Sequence, residues 1–161
     1  MAFNITPANY FKMLVEQHAE YSGDPLSLRK AIAVSMFANH LCEHVFAAYN
    51  GVDSAKLDGS TTPDIYRKSL EAQKPELKLI RDLCDYGKHG PSLRRKTVQV
   101  SQTEVKETMV PEFTGLLLGL TNHSAADKIV VTLGDGSERF FDYLIDDVVR
   151  FWNTTFVTKA L

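Results

Sequence analysis

The apolar residues of this 161-residue chain change period twice. Up to Gly90-Pro91 they recur every three to four positions, as on one face of a helix. From there to about Phe141 they alternate or cluster in short β-prone runs, and afterwards the helical spacing returns. Helices and strands are therefore segregated along the chain, which predicts an α+β fold, predominantly α. The expected architecture is a bundle of about five helices with a small antiparallel β-sheet inserted before the C-terminal helix. A single domain over 1–161 is expected, with a helical part at 1–91, a β element at 97–142 and a last helix at 143–158.

Local punctuation refines this outline. Thr6 and Pro7 are suited to open the first helix, and Asp24 with Pro25 to cap and open the second, which Asn50-Gly51 should stop. Pro63 can open a third helix reaching Gln73, and Lys74-Pro75 interrupts the pattern because the residue before proline resists the helical region. In the fourth helix Leu77, Ile80, Cys84 and Gly87 face inward until Gly90-Pro91. Val98, Val100 and Val105 then read as a half-buried strand, and Gly134-Asp135-Gly136 as a hairpin turn. Asp142 is the expected cap of the last helix, whose Leu144, Val148, Phe151 and Trp152 are available to the core. The stretch "MVPEFTGLLLGL", residues 109–120, has no clear period, and its leucines suit either a buried strand or a surface hidden in a partner.

A net charge of -2 and a pI near 6.2 argue against non-specific attraction to nucleic acid or membrane. No stretch approaches the roughly 20 apolar residues that span a bilayer, and "MAFNITPANYF" lacks the basic start and apolar run of a secretory signal. A cytoplasmic protein is the expectation. Cys42 and Cys84 lie in apolar helical patterns without C-x-x-C spacing and read as small buried hydrophobes.

The chemistry-bearing stretch is "RDLCDYGKHGP", residues 81–91. At about 100° per residue, Arg81, Asp85 and Lys88 fall on one helical stripe, with His89 beside it. Asp85 could orient His89 for acid/base work while Arg81 and Lys88 stabilise phosphate charge. The same residues also suit a plain helix end, with i,i+4 ion pairs and cations meeting the negative pole of the dipole. Between Tyr86 and Thr103 there is no acidic residue, and Lys88, Arg94, Arg95 and Lys96 form a local basic patch fit for an anion such as RNA or a nucleotide.

A helix ending in Arg81-Asp82 and then His89-Gly90 resembles those of the HEPN superfamily, compact helical bundles that often pair and include many RNases. Here seven residues separate Arg81 and His89, where the family pattern has four to six. The resemblance implies a homodimer and, where the site is intact, a metal-independent endoribonuclease or nucleotide-binding protein with Arg81 and His89 at its centre. The order Asp85, Lys88, His89, then strands, Asp135-Gly136 and a terminal helix with Trp152, also resembles uncharacterised bacterial proteins that carry D-x-x-K-H.

Metal is the remaining option. His40 and His44 stand at i,i+4 on the second helix, and His18, Asp82, Asp85 and His89 could add ligands, yet no H-E-x-x-H or E-x-x-H is present. His18, on an apolar face, otherwise reads as a hydrogen-bonded core histidine. The residues call for no cofactor. The leading expectation is an interaction or regulatory module of a bacterial or phage cytoplasm that forms a homodimer, with RNA cleavage and metal binding as alternatives.

Overall fold

The computed structural model describes residues 5–89, 100–112 and 122–161, and the side chains of 5–85, 100–108 and 125–161 among them. The chain is α+β and mostly α. Its elements are α1 (Pro7–Ser22), α2 (Leu28–Tyr49), a 3-10 turn (Ser54–Leu57), α3 (Pro63–Gln73) and α4 (Glu76–His89), followed by β1 (Val100–Glu112), β2 (Asn122–Leu133), β3 (Glu138–Phe140) and α5 (Phe141–Lys159).

Most helix starts are written in cap residues. Thr6 accepts from the Asn9 N–H and Thr62 from the Ile65 N–H, each with proline in the following first turn. Two expected caps are corrected. Helix α2 is capped by Ser27 and begins at Leu28, because Asp24-Pro25 forms a turn whose Pro25 carbonyl accepts from the Tyr21 hydroxyl at 3.1 Å. Helix α5 starts at Phe141 without a side-chain cap, and Asp142 sits in its first turn, where it binds Lys128 at 2.5 Å.

Helix α2 lies at the centre, burying Ala31, Val34, Ala38, Leu41, Cys42, Val45 and Phe46 at helical spacing. Trp152 of α5 packs against it fully buried, and its indole N–H donates to the Ala38 carbonyl at 3.3 Å, so the ring is satisfied as well as dry. Helices α1 and α5 meet through Phe11 stacked on Phe156 and the edge of Tyr21 against Phe141.

The sheet is antiparallel in the order β1-β2-β3. A shift of register between Val100 and Gln102 explains a conflict in the sequence, since Val100 and Val105 have opposite parity and could not share a face of a regular strand. The turn at Gly134-Asp135-Gly136 is as expected, with Gly136 at φ +83° and Leu133 N–H bonded to the Ser137 carbonyl.

Ile129 and Val131 of β2 join the helical core, as do half-buried Val100 and Leu133. Past Ile129, Lys128 still reaches Asp142 of α5, and none of the described side chains of 105–108 and 125–128 belongs to the core. The eight cross-strand pairs from Val105–Ile129 to Glu112–Asn122 have no third strand among the described residues. At about 3.3 Å per residue they make an arm roughly 25 Å long. Leu116 to Leu120, which join its two strands, lie outside the described residues, as does Val98.

Candidate functional site

Helix α4 runs unbroken from Glu76 to His89, so the spacing of Arg81, Asp85, Lys88 and His89 is helical as expected. Helix α4 follows α3 across Lys74-Pro75, and Arg81 is set against Glu71 of α3. Arg81 Nη1 stands 2.6 Å from Glu71 Oε1, and the two side chains are only 15% and 13% exposed. The contact is a close pairing of charges rather than an aligned hydrogen bond, because Glu71 Oε1 and Arg81 Nε both lack a hydrogen-bond partner among the described residues. Asp82 is buried and Asp85 half-buried. The side chains of Lys88 and His89, and all of Arg94, Arg95 and Lys96, lie outside the described residues.

A second arginine continues the lattice. Arg67 of α3 reaches Glu43 of α2 at 2.6 Å and Asp64 at 3.1 Å, while Glu43 also faces His40 Nδ1 at 3.0 Å. Cys42 borders the same cluster. Burial pushes its thiol above the ordinary range despite the neighbouring Arg67 guanidinium, so it stays protonated at neutral pH. Asn39 touches both cysteines: Cys42 Sγ donates to its carbonyl at 3.1 Å, and its amide lies 3.7 Å from Cys84 Sγ.

The gap between these residues, lined by Ala38, Asn39, Cys42, Arg67 and Glu71, has a volume of about 10 Å³. That is room for one water molecule and for no substrate. The paired charges thus tie α2, α3 and α4 together, and Arg81 is part of that tie. Sequence reading found Arg81 and missed Glu71 and Arg67, because a pairing between separate helices leaves no i,i+4 signature.

His44 and His18 serve different contacts. His44 stacks on Tyr10 with ring centres 3.9 Å apart, and burial holds its imidazole below its ordinary value, so it is neutral at pH 7. The same burial, reinforced by the Glu43 charge, pushes the Tyr10 hydroxyl up to about 12. His18 is half-buried rather than part of the dry core, and its Nε2 stands 2.6 Å from Asp146 Oδ1, joining α1 to α5. This pair edges an open groove of about 450 Å³ with Phe11, Val15, Val149 and Arg150. Among the described residues no three His, Cys, Asp or Glu side chains come together as a metal site, and no helix is long and apolar enough to cross a membrane.

Compared with protein-family models, with curated proteins and with solved structures, the chain matches none.

Proposed function

We propose that this protein acts by association: it is an interaction or regulatory module whose helical body carries a β arm, and the arm builds a homodimer. The observation that carries this reading is the length of β1 and β2 beyond the core. Among the described side chains none beyond Ile129 belongs to the core, yet the strands stay paired as far as Glu112 and Asn122. A two-stranded ribbon is marginal in water on its own, and a chain that maintains one for eight pairs gains from covering it.

Two further features support the reading. The sequence between the two strands contains "FTGLLLGL", whose leucines suit burial against another surface. The arm also sets exposed Glu107 directly opposite exposed Asp127, a like-charge pair that weakens an isolated ribbon. An acid/base site at the end of α4, by contrast, needs Arg81 turned toward a ligand, and its guanidinium faces Glu71 instead.

Sedimentation velocity of the full chain at tens of micromolar tests the proposal. The expected result is a dimer, weakened at least tenfold in a still-folded chain when residues 108–126 are replaced by an Asn-Gly turn that leaves Ile129 to Val131 in place. A full chain that sediments as a monomer throughout overturns it.

A further inference from the structure

We infer that the two copies join edge to edge through β1, antiparallel about a two-fold axis at Val105, so that Glu104 of each copy meets Lys106 of the other; this rests on the association reading above. Strand β1 is an outer strand of the sheet, with no described strand on its far side. The edge of a sheet is a template for another strand. Lys106 and Pro111 are residues of the kind that keep such an edge from pairing indiscriminately, and the charges around Val105 determine which strand can pair.

The register follows from symmetry. In a two-fold antiparallel pairing the residues that face each other lie on the same face of the joined sheet, so the axis passes through a residue. An axis at Glu104, Lys106 or Glu107 sets that charged residue against its own copy, which is repulsive. An axis at Thr103 pairs Glu104 with Gln102 and Lys106 with Val100, leaving both charges unmatched. Only an axis at Val105, among positions 103 to 107, yields two Glu–Lys pairs and no like-charge pair. It also brings together the two Val105 side chains, each 43% exposed in the single chain.

The intramolecular bonds are compatible with this. Glu104 accepts from Gln102 at 2.9 Å and Lys106 reaches Glu138 at 2.5 Å, both on the surface, so each charge has capacity for a second partner. The pairing sets Val110 opposite Val100 of the second copy, and so lays the far half of each arm alongside the strand end at which the other copy's helical body sits. Pro111, which has no N–H to offer, falls at the limit of the pairing.

A charge swap in the full-length protein tests the register. Lys106→Glu and Glu104→Lys each place two like-charge pairs across the axis and are expected to weaken the dimer at least tenfold by sedimentation equilibrium. The double variant Glu104→Lys/Lys106→Glu is expected to recover it, with circular dichroism confirming that all three are folded. Independently, Val105→Cys is expected to form a disulfide-linked dimer with oxidised glutathione, while Glu107→Cys is not. Dimerisation that ignores all the swaps, with no Val105→Cys cross-link, overturns this register and leaves association itself standing. A wild-type chain that is monomeric overturns both.

Discussion

Asp58 shows how one residue closes the helical body. It follows the 3-10 turn in the left-handed conformation, φ +53°, and its carboxylate accepts from Ser69 and Gln73 of α3 and from Lys159 at the end of α5. Lys56 of the same turn donates to the Ala160 carbonyl, so the C-terminal end is held twice. Burial alone would raise the Asp58 carboxyl, and the hydrogen bonds from Lys159, Ser69 and Gln73 outweigh it, leaving the group below its ordinary value. A carboxyl lowered on folding contributes stability that is fully present above its unfolded pKa, near 3.9, and is lost as pH falls through the folded value. Asp58→Asn should therefore cost about 1 kcal/mol at pH 7, after allowance for solvent around the partly exposed site. The gap between variant and wild type, measured by urea unfolding, should stay constant from pH 7 to about 5 and narrow below about 4. Nothing in the sequence around Asp58 announces that Lys159 returns to it.

At the level of elements, α3 and α4 are joined at Lys74-Pro75 and linked by the Glu71–Arg81 pair beside buried Leu70, Leu77 and Ile80. Glu71 and Arg81 are nearly buried, so removing one partner strands the other charge, whereas replacing both by apolar side chains does not. Glu71→Gln is expected to destabilise by about 1–3 kcal/mol. Glu71→Met with Arg81→Met should lie closer to the wild type than either single variant, and a double-mutant cycle by thermal or urea unfolding measures the coupling. The helices themselves were legible because their starts and stops are local: Thr6-Pro7, Thr62-Pro63 and Asn50-Gly51 act within one turn of the residues they affect. Asp24-Pro25 misled because the same pair suits both a helix start and a turn, and Tyr21 takes up the turn's carbonyl. The strand β1 was legible from its valines, though not its length, since Met109-Val110-Pro111-Glu112 breaks the alternation and is held by pairing with β2. Of the candidate site, Arg81 and Asp85 were correctly placed on one helix, while Arg81's actual partner came from another helix that helical spacing cannot connect to it.

The whole molecule joins two parts of unequal local stability. The body buries Trp152, Tyr66, Leu41 and Ile145 completely, and burial of this kind predicts a backbone that opens only with the core. The outer arm has paired backbone but only half-buried or exposed side chains from Val105 to Thr108, so in a single chain its hydrogen bonds open easily. If association covers the arm, its protection must depend on protein concentration in a way that the body's does not. Hydrogen exchange read by mass spectrometry should therefore show amides of 105–112 and 122–128 slowing as concentration rises through the dimer midpoint. Peptides from α2 and α5 should exchange at the same rate throughout. The Lys106→Glu variant, kept monomeric at the same concentration, should return the arm to fast exchange without altering the body. Arm amides that exchange identically at all concentrations would show that the ribbon is left uncovered, and the dimer, if present, would have to be built from the helices.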